Sequence, residues 1–386
     1  MNTAAIFFAL LRAEVCGGEM TEELKRALSP EQLESVFSLA KEHDLAHIAG
    51  QTLGKNKLLP KCQVSDQFRR QTMLALMRSS WLDNAYENIC QTLEEANVPF
   101  IPLKGAVLRG YYPESWMRTS CDIDILVKEE MLETAAKALE EKQNFTRGKK
   151  SQHDISLHSP GGVHLELHHA MVEENRAANS SAVLDRIWED ARPREDGSCH
   201  YVMSDAMFYF YHIAHMAKHV QEGGCGVRPF LDLWILNHRV SSDPKRRQAL
   251  LKEGGLWTFA KVAESLAEAW FSGKEGDKLT ARLGSFILHG GMYGSVENDV
   301  AIKQTRRGGK LGYALSRIFP PYKKMIFRYP VLERHPWLLP VYHVVRWITI
   351  LRKGNGMRSL RELETNIAMP EDIARRTVEL LKKLDL

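Results

Sequence analysis

Met117-Arg118-Thr119-Ser120-Cys121-Asp122-Ile123-Asp124-Ile125-Leu126-Val127 is the stretch that decides how the rest of the chain is read. Side chains alternate faces along an extended strand. Asp122 and Asp124 therefore project to one side, and Cys121, Ile123, Ile125 and Val127 to the other. Two carboxylates this close repel unless a cation lies between them, and hard oxygen ligands with room for water suit Mg²⁺ or Mn²⁺. A solvated strand edge would show the same Asp-x-Asp, so the metal reading rests on what flanks it.

Upstream, the apolar run Val98–Leu103 reads as a short strand leading into Lys104-Gly105 and a helical segment, Ala106–Tyr112. Glycine at such a turn lets the backbone approach a ligand, the helix start favours an anion, and Lys104 adds a positive charge. Downstream, Ser151–His158 and Gly162–His169 alternate polar and apolar residues around Ser159-Pro160-Gly161-Gly162, a β-hairpin pattern. Val163, Leu165 and Leu167 face one way; His164, Glu166 and His168 face the other. Glu166 is thus a candidate third carboxylate beside Asp122 and Asp124. Asp154 is its rival, and a structural pairing of Glu166 with a His or Arg is the alternative.

Strand, Gly-containing turn, helix, Asp-x-Asp strand and a later acid-bearing strand resemble the organisation of the DNA polymerase β-like nucleotidyltransferase superfamily. Leu103-Lys104-Gly105, Arg118 through Val127, and Val163–His168 resemble more closely a bacterial nucleotidyltransferase family of mostly uncharacterised proteins. The motif-bearing resemblance covers Pro99–His169 and continues loosely to about Trp347. Where the superfamily's turn is Gly-Ser, this chain has Lys-Gly, so phosphate contact falls to backbone N–H groups and Lys104.

The fold class expected is α+β: a polymerase β-like core with a mixed sheet, flanked by N-terminal and C-terminal helical regions. The resemblance implies a metal-dependent transfer of an NMP, with ATP as the expected donor, to a hydroxyl of an unknown small-molecule or protein acceptor, with pyrophosphate released. Asp122, Asp124 and Glu166 are its catalytic and metal-binding candidates, and Lys104, Gly105 and Arg118 its nucleotide-binding candidates. Two ions held by the acids would stabilise the attacking and leaving oxygens. A non-catalytic nucleotide- or partner-binding module on the same fold is the alternative, and a hydrolase using the same ions is a third reading.

At 386 residues the chain is long enough for more than one core, and 44% hydrophobic with 26% charged residues is ordinary for a globular protein. A formal net charge of +4 suits a polyanionic ligand but lacks the clustered Lys/Arg of a dedicated nucleic-acid binder. Six cysteines without a Cys-x-x-Cys pair argue against a zinc ribbon or disulfide framework and for reducing cytoplasm. Ala4–Val15 lacks a preceding basic region and is interrupted by Arg12 and Glu14, against a signal peptide. Trp337–Leu351 is too short to span a membrane and reads as a buried or partner-facing helix, with peripheral membrane contact the minority alternative.

In chain order, 1–97 reads as an N-terminal helical region, 98–170 as the catalytic core, 171–290 as helices packing on it, and 291–386 as a basic C-terminal helical region. Ser29-Pro30 starts a helix. Leu74, Met77, Trp81, Ala85, Ile89 and Leu93 form a stripe that would pack a long helix on the sheet. Lys303, Arg306, Arg307 and Lys310 around Gly308-Gly309 read as a loop. His212, His215 and His219 share a helix face and read as hydrogen-bonded core or cleft histidines, with a zinc site as the alternative. Arg228 and Asp232 are either substrate contacts or a buried pair that fixes a loop.

Overall fold

The computed structural model describes residues 2–25, 28–151, 153–171, 179–292, 294–352, 362 and 364–386. The class is α+β. Five strands form one mixed sheet: β1 (Phe100–Pro102), β2 (Asp122–Val127), β3 (Thr146–Lys150), β4 (Asp154–His158) and β5 (His164–His168), in the order β1-β2-β5-β4-β3. Only β2 and β5 run parallel; the other neighbours are antiparallel. The hairpin expected around residues 159–162 is β4–β5, although Gln152 of its first arm lies outside the described residues.

Alternation sets the layers. Ile123, Ile125 and Val127 of β2 and Leu165 and Leu167 of β5 are buried on one face with Ile89, Leu93, Ala135 and Leu139. Each fully buried Leu contributes about 1.5–3 kcal/mol, so a register slip that exposed this row would be strongly disfavoured. Helix Leu132–Gln143 covers this face and ends on Asn144 in the left-handed region (φ 56°).

Helix Pro30–Glu42 begins as the sequence indicates: Ser29 accepts from the Gln32 N–H, and the Gln32 side chain accepts from the Ser29 N–H. The N-terminal helices and those between Val183 and Ile287 bury their apolar faces in one common cluster, which also takes Ile101, Leu103 and Leu126 from the sheet.

Two local expectations differ from the structure. In its C-terminal half helix Gln63–Glu95 packs Ala85, Ile89 and Leu93 of the expected stripe on the sheet side, with Leu82, while Leu74, Met77 and Trp81 are exposed. The helix is about 50 Å long and six-residue strands are about 20 Å, so the stripe overruns the surface it was expected to cover. The basic segment near Gly308-Gly309 is not a loop. Helices Val296–Arg306 and Gly309–Ile318 meet there at a tight turn, made by positive φ at both glycines (76° and 92°).

Candidate active site

Parallel register brings Asp122 beside His164, Asp124 beside Glu166, and Leu126 beside His168. Because the inward row is apolar, the opposite row of both strands places Asp122, Asp124, His164, Glu166 and His168 together. Ligand atoms of Asp122, His164 and Glu166 lie within 4.8 Å of one another, as do those of Asp124, Glu166 and His168. Both groups among the described residues share Glu166. Asp154 sits one strand further out, opposite His168, and its carboxylate is 3.1 Å from His153 Nε2; it belongs to neither group.

Two cations converge on Asp124. Lys104 Nζ is 3.0 Å from Asp124 Oδ1, and His168 Nε2 donates to the same oxygen at 2.9 Å while lying 3.4 Å from Glu166 Oε2. Burial opposes the charge on Asp124, yet Lys104 and His168 hold its carboxyl well below the usual range. The hydrogen bond from His168 likewise lowers Glu166. Asp122 goes the other way: burial, then repulsion from Asp124, push it up. Its charge is the one a further cation would relieve.

Burial works against a charged His168, but its bonds to Asp124 and Glu166 outweigh this and carry the imidazole from its ordinary 6.5 up to about 9. The folded state therefore holds this proton more tightly than the unfolded chain. The resulting stabilisation is complete below about pH 6.5 and is lost as pH rises toward 9. Urea unfolding of the metal-free protein across that window is expected to show a steeper loss of stability in the wild type than in His168→Gln. Equal slopes would mean that His168 does not hold the proton.

The turn ahead of β2 is rigidly built. Leu103 N–H donates to the Asp124 carbonyl at 3.0 Å, and Lys104 then takes a positive φ of 41°, an uncommon conformation for a side-chain-bearing residue. The α-helical part is Lys104–Leu108 and continues as a single 3-10 turn, Arg109–Tyr111, so the helical segment expected here is present but tightens in its second half. Charge at the turn comes from Lys104 itself. Buried Arg109 donates to the Gly105 carbonyl (3.1 Å) and Ser120 Oγ (3.2 Å) and pairs with Asp83. A Cβ on Gly105 would lie 3.2 Å from Ser120 Cβ, so glycine here permits close packing of turn against strand.

Arg118 is held by a buried carboxylate. Its Nε donates to Asp232 Oδ1 and Oδ2 at 2.8 and 3.0 Å, and Tyr112 Oη donates to Oδ1 at 2.6 Å. Arg228 pairs instead with Asp44 (2.7 Å) and donates to the Thr119 carbonyl at 3.1 Å. The Arg–Asp pairs thus tie residues 117–120 to helix Arg228–Arg239 and to the N-terminal helices.

A cleft of about 380 Å³ opens between this sheet face and helix Asp205–Gln221, lined by the acids, Lys104, Gly105, Arg118, His168 and Tyr211. The histidines of that helix divide. His212 donates to the Pro229 carbonyl at 2.9 Å, whereas His215 and His219 share a hydrogen bond of 3.1 Å. Burial lowers all three, His219 to about 4, so they are neutral at pH 7. Neither metal-donor group among the described residues includes them. Tyr211 is a residue the sequence reading missed. Its buried hydroxyl has no hydrogen-bond partner, and it lies close enough to Lys104, Asp124, Asp122 and Glu166 for their charges to act on it. Burial keeps it a neutral phenol.

A family model described as "Uncharacterised nucleotidyltransferase" matches residues 29–272. The chain belongs to that family. The match spans the strands and helix Asp205–Gln221 that face each other across the cleft. No curated protein and no solved structure matches the chain. No helix among the described residues is long and apolar enough to cross a membrane.

Proposed function

We propose that this nucleotidyltransferase moves an NMP, from ATP in the first instance, to a hydroxyl of a small-molecule or protein acceptor in the cytoplasm. The observation that carries the reading is the β2–β5 register, which lays Asp124 against Glu166 with Asp122 at the next outward position, in a cleft entered by Lys104. The donor set fits a divalent cation: three carboxylates, one of them raised by burial and by its neighbour, with imidazoles at the margin and an unpartnered phenol beside them. Asp122, Asp124 and Glu166 would hold Mg²⁺ or Mn²⁺, and the His164 imidazole beside Asp122 and Glu166 weighs toward Mn²⁺. When bound, the metal supplies charge stabilisation at the phosphoryl oxygens.

The chain's own residues do the rest. Glu166 accepts the proton of the acceptor hydroxyl as the hydroxyl oxygen forms a bond to the α-phosphorus and the bond to the pyrophosphate leaving group breaks. Lys104 and the amides around Gly105 bind the triphosphate, Tyr211 donates to a phosphate oxygen, and Arg118, oriented by Asp232, lends positive charge to that wall. The six free cysteines accord with a reducing compartment.

A second reading also has an observation behind it. Lys104 Nζ already occupies a position on Asp124 that a metal would claim, as expected of a module that binds nucleotide without catalysis. Titrating a fluorescent ATP analogue, with GTP as competitor, in Mg²⁺, Mn²⁺ or EDTA separates the two. Metal-dependent binding together with pyrophosphate release in an acceptor mixture is the expected result. Metal-independent binding without pyrophosphate would establish the module instead.

A further inference from the structure

The C-terminal helices carry a surface that lies beyond the family match, which ends at residue 272. Helix Leu339–Arg352 is inside out. Its inward side carries polar groups beside the buried Ile350: His343 packs edge-on against Phe319 with ring centres 5.5 Å apart, and Arg346 and Trp347 donate to the Ile318 carbonyl at 3.4 and 3.0 Å. Its outward side, continued from the short turn Pro336–Leu338, is apolar. Trp337, Val341, Val344 and Ile348 are 73, 55, 59 and 50% exposed, with Val345 beside them. A helix facing water turns its polar residues outward. A contiguous exposed apolar face of this kind marks a surface that becomes covered.

Charge indicates the cover. From Gly309 to Arg352 the chain holds eight Lys and Arg residues and a single acid, Glu333. Lys323, Arg328 and Arg334 are exposed on helices Tyr322–Arg328 and Val331–Arg334, which pack in series against the turn and the helix. A second copy presenting this face would bring like charges together. A nucleic acid would satisfy the basic residues but not the valines and isoleucine. An anionic bilayer satisfies both, with apolar side chains in the headgroup boundary and basic ones among the phosphates. Tryptophan at one end of the stripe is the residue type that seats at such an interface. We infer that Trp337 and helix Leu339–Arg352 dock this protein, lying flat, on a membrane surface rich in anionic phospholipid.

Flotation of the full chain with vesicles of phosphatidylcholine, with and without phosphatidylserine, tests this. Capture is expected only with phosphatidylserine, and is expected to fall when salt is raised from about 0.1 M to about 1 M, which shortens the screening length from about 10 Å to about 3 Å. Val341→Ser/Val344→Ser/Ile348→Ser should bind at least roughly tenfold more weakly, each site losing buried CH₂ equivalents. Because these side chains point outward, circular dichroism should be unchanged. Lys323→Glu/Arg334→Glu should weaken capture independently. The inference is overturned by no capture, by capture indifferent to both variants, by preference for an oligonucleotide over vesicles, or by a wild-type dimer that the triple variant converts to a monomer.

Discussion

Asp124→Asn is expected to lower metal-dependent affinity for the ATP analogue, and with it nucleotidyl transfer, by about 10³-fold. Asparagine keeps the shape and removes the charge on which the site is balanced. Asp124 is nearly fully buried and takes contacts from both Lys104 and His168. Neutralising it leaves those cations facing each other and takes one carboxylate from the metal-donor group with Glu166. Losing about 4 kcal/mol of charge stabilisation corresponds to about a thousandfold. Asp154→Asn is the control, since Asp154 sits outside both donor groups and pairs with His153; its effect is expected to stay within about twofold. Wild-type metal dependence in Asp124→Asn would move the active site away from these acids.

Asp232→Ala is expected to have the largest effect on stability, about 3–5 kcal/mol, read as a fall in the urea midpoint at constant slope. Asp232 is fully buried and accepts two bonds from Arg118 and one from Tyr112. Truncation leaves a guanidinium that is about nine-tenths buried without its counterion. Arg118→Met/Asp232→Leu should cost much less than the single change, because it removes both charges together. The same pair fixes the loop entering β2, so Asp232→Ala should also weaken nucleotide binding under conditions where it remains folded. A loss below about 1 kcal/mol would show that the pair is solvated.

Part of this was legible because it is local. Alternation over Asp122–Val127 and Gly162–His169 assigns each side chain to a face, and turn chemistry at Ser159–Gly162 makes the hairpin. The face shared by His164, Glu166 and His168 could therefore be read before any contact was known. Period alone did not show that His168 bonds Asp124, since that depends on the offset between β2 and β5. The histidine helix makes the same point. The cleft wall of that helix carries Tyr211, His215 and His219 at steps of four, and His212, also on the lining, is turned to the Pro229 carbonyl. The His spacing was visible, but which side of the helix met the cleft was not.

By itself the sequence determined the α+β class, the paired strand acids, the Lys-Gly turn and the capped helices. Each follows from the steric and hydrogen-bonding preferences of residues a few positions apart. Only the tertiary structure decided that Arg118 pairs with Asp232 and Arg228 with Asp44, that Tyr211 enters the cleft, and that helix Leu339–Arg352 turns its valines outward. Partners far apart in the chain are selected when the common core closes: a charge taken from water must find its counterion there, and no local pattern records which one arrives.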